Sequence, residues 1–477
     1  MAWGAKAGAT DWCRRLKEND KTLSSLLVMR TRGMKTEDWV EFCEALSGNT
    51  ELRELKASSH SLDAAALAAF SDMLAKNTAL ERLALGDAEL GDAGVAALCP
   101  GLACNTALQE IELDYKGLTA AGAAALAGAL KVNRALRRLL LSRNPALGDA
   151  GVSALCEGLC ESNVCDLQLE EVGMSDVGAR ALGSALARVK DTMSELSLSG
   201  NELLTGEGTG ALLAGISSGP GVKSLKIEHC PRALTADAAD KLGVFLRAPA
   251  CKLQRLSFHE VVPPDEESKR AVASAVGAAT SLREAKLVNM DLCDAGAAAL
   301  SSSMSIAADG SALASLELLD LTGNNITGEG LASLILTDNA LSRCKRLVVF
   351  DNRVGTGVQV PAALEEAAAG REIGAELVDL DLGGNKLERE WILQLLTALY
   401  STPSLFPALR TIGLGGNEGM QDADEELEGA VEALQERATP LDVVYKAMGD
   451  DGKSGANARA SQLASQVARN GGDAAPG

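Results

Sequence analysis

Aromatic side chains are nearly missing from this chain: 6 Phe, 4 Trp and 3 Tyr make up 3% of 477 residues. A hydrophobic core therefore has to be assembled from Leu, Ala, Val and Ile, in a sequence that is 47% apolar. Histidine is scarcer still, with three copies. That leaves little general acid–base chemistry, and no Ser/His/Asp set is suggested, so the sequence predicts no enzyme and implies no cofactor. No segment offers 18 continuous apolar residues, so no membrane-spanning helix is expected. The N-terminal stretch MAWGAKAGATDWCRRLKEND lacks an apolar run of the secretory kind. The 11 cysteines are irregularly spaced without a C-x-x-C pair, which argues against a zinc ribbon or redox motif. They are read as reduced thiols used as small hydrophobes, in a cytoplasmic or nuclear protein. Basic residues are outnumbered, 45 against 65 acidic, for a net charge of −20. That balance disfavours nucleic acid and anionic membranes as partners and favours a protein partner with a basic surface.

What is abundant is repetition. Leu80-x-x-Leu83-x-Leu85 returns as Leu108-x-x-Ile111-x-Leu113, as Leu136-x-x-Leu139-x-Leu141 and as Val164-x-x-Leu167-x-Leu169, in steps of 28 residues. Fourteen copies run from Leu23 to Leu409, with a closing strand at Leu441. A fixed period of this size predicts a stacked solenoid. Each copy opens with strand-like alternation and continues with apolar residues four apart, so a strand is followed by a helix. Asn144, Asn201, Asn324, Asn352, Asn385 and Asn417 each follow the last strand leucine by three positions, where an amide can bond the turn backbone. Ala88, Lys116 and Val172 stand there in other copies, and those turns must close another way. Thr119, Ser175, Thr205, Thr235 and Thr327 sit where helix caps are needed, and Asp92, Asp149, Asp176 and Asp294 fall in first helical turns. Gly94, Gly122 and Gly178, each four residues after an apolar residue that precedes the helix, predict close packing of helix on strand.

The run Leu316-x-x-Leu319-x-Leu321-x-x-Asn324-x-Ile326-x-x-x-Gly330-x-x-x-Leu334 and its counterparts resemble the ribonuclease-inhibitor type of leucine-rich repeat. The resemblance implies an α/β horseshoe solenoid of about 14 repeats, with a parallel sheet on the concave side and helices on the convex side. Residues 1–22 are expected to form an N-terminal cap, with Trp12 and Leu16 over the first repeat, and Trp39 to join the core. Residues 23–448 are expected to form the solenoid and 449–477 a disordered tail, low in apolar residues. Added residues at 301–315, 361–376 and 401–408 are expected after helices, in the returning segments.

Members of this family bind other proteins, so the resemblance implies a non-enzymatic binding scaffold. The alternative is a Ran-type GTPase-activating protein, against which Asp114-Tyr115-Lys116-Gly117 stands where that family carries an asparagine-rich turn. Strand alternation puts Glu110, Glu112 and Asp114 together on the exposed face beside Tyr115, with Asp166 and Glu170 two strands on and Arg138 between them. Val348 and Phe350 place apolar side chains on the same kind of position. An acidic surface with an aromatic or apolar anchor is the pattern of a binding hot spot, and these nine residues are the candidate protein-binding positions. His229 and His259 fall near Glu228, Glu260 and Cys230 on adjacent strands. They are read as surface histidines, with no metal assigned.

Overall fold

A computed structural model of the chain describes residues 8–189, 193–219, 221–304, 316–338, 341, 343–421 and 425–445. The tail expected at 449–477 and most of the insertion at 301–315 lie outside the described residues. Two compact units, Met1–Ala275 and Val276–Gly477, make up the chain.

The first unit opens with helix α1 (Ala9–Lys17), whose inner face buries Trp12, Cys13 and Leu16. Strands β1 (Ser25–Leu27), β2 (Glu54–Ser58), β3 (Arg82–Gly86), β4 (Glu110–Glu112), β5 (Arg138–Leu140), β6 (Asp166–Gln168), β7 (Glu195–Ser197), β8 (Ser224–Glu228) and β9 (Arg255–His259) follow. Each is parallel to the next in chain order. Between them come α2 (Thr36–Ser47), α3 (Ala64–Lys76), α4 (Gly91–Cys104), α5 (Ala120–Leu130), α6 (Gly148–Leu159), α7 (Asp176–Leu186), α8 (Gly206–Ser218) and α9 (Ala236–Arg247), and α10 (Glu266–Gly277) ends the unit's course. The second unit repeats the scheme with β10 (Glu284–Val288), β11 (Leu318–Asp320), β12 (Arg346–Val348), β13 (Asp379–Asp381), β14 (Thr411–Gly413) and β15 (Asp442–Val444), again parallel in order. Its helices are α11 (Asp294–Met304), α12 (Gly328–Leu336), α13 (Val360–Ala368), α14 (Arg389–Ser401) and α15 (Glu425–Ala433). Both units are leucine-rich-repeat solenoids of the α/β kind.

Register explains why the pattern folds this way. Leu55, Leu83, Ile111, Leu139 and Leu167 stand opposite one another along the sheet, and all are buried. A one-residue slip would turn this whole apolar row to water, so the alternation fixes the pairing. Trp39 is buried as expected, with its ring near Phe42, Phe70 and His60, and the His60 imidazole lies 3.0 Å from the Val28 carbonyl. Among the described residues all cysteines are free, and burial pushes the Cys156 and Cys344 thiols up to about 12.

The asparagines do more than close their own turns. Asn144 and Asn201 are wholly buried, and their Oδ1 atoms accept from Lys116 and Leu118 and from Val172 and Met174 of the preceding repeat. Repeats with Lys116 or Val172 at the turn are thus served by the next repeat's asparagine. A second ladder runs along the other end of the strands. Asn77, Asn105 and Asn133 each donate Nδ2 to two carbonyls of the preceding repeat, and each Oδ1 accepts from the two amides that lead into the next strand. These amides satisfy backbone groups that a buried helix end otherwise leaves bare.

The five expected caps all accept a hydrogen bond from their own helix. The aspartates reach forward rather than merely facing a dipole. Asp92 accepts from the Thr119 amide at 2.8 Å, its hydroxyl at 2.5 Å and the Gly122 amide at 2.9 Å, so the helix of one repeat caps the next. Burial works against the Asp92 charge, yet these bonds hold its carboxyl below the ordinary value. The glycine expectation is thereby corrected: a Cβ on Gly122 would stand 2.5 Å from Asp92 Oδ1, so the missing side chain makes room for the neighbour's carboxylate. Asp149 with Gly178, Asp176 with Gly208 and Asp294 with Gly330 repeat the arrangement. Gly122→Ala should therefore lose about 1–3 kcal/mol in the native chain. In an Asp92→Ala background the same change should be neutral or gain up to about 1 kcal/mol of helix propensity. Urea unfolding of the four proteins measures the coupling, and additive effects would reject it.

One placement differs in the second unit. The stretch at 361–376 was expected after a helix, but Pro361 lies in the first turn of α13, where its missing N–H costs nothing.

Candidate protein-binding face

The face of each sheet away from the helices carries the alternate strand residues. In the first unit β4 presents Glu110 and Glu112, and Asp114 follows at its end, all half-buried. Register puts Glu110 opposite Arg138 and Arg138 opposite Asp166. Arg138 spans that gap: its Nη1 lies 2.7 Å from Glu110 and its Nε 2.7 Å from Asp166, which it covers almost completely. Glu170 accepts from Ser197 at 2.5 Å and stands 3.4 Å from Lys226 Nζ. Three of the expected acidic groups are thus already compensated inside the sheet, by bases that sequence order alone did not pair with them.

Glu112 and Asp114 are different. Glu112 makes no ion pair among the described residues. Asp114 accepts the Ser142 amide at 2.8 Å, but burial pushes its carboxyl up to about 6, and the Glu112 charge adds to the push. Arg143 and Lys116 oppose this without cancelling it. Lys116 is itself buried, and burial lowers its ammonium below the ordinary value. β4 therefore ends in negative charge that its own surroundings do not fully stabilise.

Tyr115 comes next, 64% exposed, with its backbone in the left-handed region at φ 57°. The same turn position is left-handed in repeat after repeat: Arg143, Glu171, Gly200, His229, Glu260, Asn289, Gly323, Asp351, Gly384 and Gly416. The conformation aims each amide at the carbonyl of the following repeat, as from Tyr115 to Ser142 and from Arg143 to Glu170. Glycine fits there without strain, and every other residue carries about 1 kcal/mol. Tyr, Arg, Glu and His are kept on this rim all the same. The φ pattern was not read from the sequence, although glycine recurring at Gly200, Gly323, Gly384 and Gly416 signals it.

In the second unit Val348 stands between Asp320 and Asp381 in register. Val348 and Phe350 are half-buried, and the Phe350 ring lies where a Cβ on Gly383 would reach within 2.8 Å of it. Burial raises the Asp381 carboxyl, and the Gly383 amide at 2.9 Å opposes that rise. This face is a small apolar spot between two carboxylates, separate from the acidic one on β4.

No helix among the described residues is long and apolar enough to cross a membrane. The leucine-rich-repeat family model matches residues 76–99, 132–156 and 312–335. No curated protein matches the chain. Among solved structures, the complex of Rad7 and Elc1 in yeast is 14% identical over 92% of this chain and 93% of that one, with a TM-score of 0.43. The TLR13–ssRNA13 complex is 14% identical over 84% of this chain and 55% of that one, at 0.48. The actin-binding site 2 of leiomodin-1 is 21% identical over 32% of this chain and 91% of that one, at 0.27.

Proposed function

We propose that the chain is a non-enzymatic binding scaffold whose first unit takes a basic protein surface on Glu112, Asp114 and Tyr115. The observation that carries this reading is the grouping at the end of β4: a half-buried Asp114 carboxyl pushed up to about 6, beside Glu112, which has no ion pair among the described residues, and an exposed tyrosine. A Lys or Arg from a partner supplies the counter-charge that the sheet withholds, and Tyr115 supplies rigid contact area. Glu110, Arg138, Asp166 and Glu170 form the frame around that centre. On the second unit Val348 and Phe350 supply an apolar contact of their own.

Affinity capture from cell extract, with quantitative mass spectrometry, tests it by comparing the native chain with Glu112→Lys/Asp114→Lys. Basic proteins should drop out of the captured set by at least about tenfold, as expected for losing one or two charge-assisted contacts. An unchanged set would sink the reading. Stimulation of GTP hydrolysis by Ran would instead favour a GTPase-activating role.

The carboxyl also fixes a pH dependence. Its folded value of about 6 lies above the ordinary 3.8, so between these values the folded chain holds a proton that the unfolded chain has released. The ionised group therefore opposes folding above pH 6, and the opposition fades as pH falls toward 4. A basic partner favours the ionised form, so its affinity should rise as pH climbs through 6. Asp114→Asn keeps an acceptor for the Ser142 amide. It should flatten that pH profile and stabilise the free chain at pH 7 by about 1–2 kcal/mol. Titration calorimetry at pH 5.5 and 7.5 reads the first effect and denaturant unfolding the second.

A further inference from the structure

Two of the three histidines in 477 residues occupy successive positions at the ends of neighbouring strands. Glu228 and His229 end β8, and 31 residues later the order is reversed in His259 and Glu260 at the end of β9. Register sets Glu228 opposite His259, so each imidazole faces a carboxylate across the strand gap. The two rings are 4.7 Å apart between centroids. One ligating atom from each of Glu228, His229 and His259 lies within 4.8 Å of the others. Glu260 accepts from or shares the proton of His229 Nδ1 at 2.9 Å, which leaves Nε2 of that ring for another bond. This is the carboxylate–imidazole arrangement that orients a ligating histidine.

We infer that Glu228, His229 and His259 form a binding site for a divalent cation of the zinc class, with Glu260 as the positioning residue for His229. The donor set is two imidazoles and one carboxylate, which suits zinc, cobalt or nickel rather than calcium or magnesium. Bonds of about 2.1 Å require ligand atoms about 3.4 Å apart, so the side chains close in by roughly an ångström on loading. The His229 side chain is half-exposed, so water and a metal ion can reach it. Backbone placement supports the same grouping: His229 sits at the left-handed rim position, and its amide donates to the His259 carbonyl at 2.7 Å. Other groups compete for these side chains: His259 Nε2 stands 3.7 Å from Glu260. Lys226 Nζ stands 3.2 Å from Glu228, and Ser257 donates to the other oxygen at 2.7 Å. A carboxylate has lone pairs to spare for both, but the nearby ammonium sets an affinity below that of a closed structural zinc site. The cation leaves at least one coordination position open to solvent. The inference does not depend on the partner proposed above.

Untagged, chelator-treated full chain is titrated with Co²⁺ and the visible spectrum followed, because exposed thiols such as Cys104 are the rival ligands. One equivalent should bind, give d–d bands without a thiolate-to-cobalt charge-transfer band, and be displaced by Zn²⁺. His229→Asn/His259→Gln should abolish that spectrum while the circular dichroism stays native, since Asn tolerates the left-handed turn. Glu260→Gln should weaken binding by about 10–100-fold, the usual cost of losing a ligand's orienting partner. A thiolate band, equal affinity in the double variant, or no uptake at millimolar Co²⁺ would each overturn the site.

Discussion

Asn144→Ala should lower the stability of the chain by about 3–5 kcal/mol, at the upper end for a single substitution. The side chain is fully buried, and its Nδ2 donates to the Leu113 and Leu141 carbonyls at 2.9 and 2.8 Å. Its Oδ1 accepts from the Lys116 and Leu118 amides at 2.9 and 3.2 Å. Alanine strands all four groups away from water, at about 1–3 kcal/mol for each one left unpaired, partly relieved by relaxation. The turn that holds Tyr115 and Lys116 depends on these bonds, so the β4 acid patch loosens with it. In a stacked fold neighbours share each interface, and the damage should split unfolding into two steps rather than shift one midpoint. Guanidinium unfolding followed by circular dichroism measures both. A loss under about 0.5 kcal/mol would show that water replaces the amide.

Gly215→Val is expected to cost at least about 3 kcal/mol or prevent folding, because a β-branched side chain is forced against backbone. Gly215 is buried in α8, and a Cβ there would lie 2.1 Å from the Gly183 carbonyl oxygen of α7. Backbone cannot swing aside as a side chain can, so the two helices must separate. Gly128 in α5 supplies the opposite sign: a Cβ there meets nothing within 4 Å, and Gly128→Ala should gain up to about 1 kcal/mol. Thermal unfolding of both variants reads the contrast. Similar losses in the two would mean that helix spacing is not what Gly215 protects.

Gly215 belongs to a longer order. Gly101 rests on Ser71, Gly158 on Ala127 and Gly215 on Gly183, at intervals of 57 residues. Helices α3 and α4, α5 and α6, and α7 and α8 thus approach as pairs through a glycine. From α4 to α7 the turns alternate in step, since α4 and α6 begin at left-handed Gly91 and Gly148 while α5 and α7 are capped by Thr119 and Ser175; α8, capped by Thr205, departs from it. The 28-residue leucine period conceals this double period, because leucines mark the sheet and the alternation lives on the helices.

Some of the candidate face was legible from the chain and some was not. Alternation placed Glu110, Glu112 and Asp114 on the open side, since a strand can turn them no other way once its leucines are buried. It could not tell which carboxylates were spent. Arg138 reaches two of them because its guanidinium is long enough to span three strands, and which way it reaches is a matter of rotamer and burial. The ladder of Asn49, Asn77, Asn105 and Asn133 was also missed, although each stands three residues before the first leucine of its repeat.

The sequence alone determined the solenoid, the strand register and the strand–helix alternation within each unit, because those follow from where apolar residues recur along the chain. Tertiary structure decided which acids on the open face remain uncompensated, how the helices pair, and how closely the ligating atoms of Glu228, His229 and His259 approach, residues that the sequence had only placed on adjacent strands. Those outcomes depend on side-chain reach across repeats, and separations of a few ångströms between residues 28 or more apart leave no mark on a linear pattern.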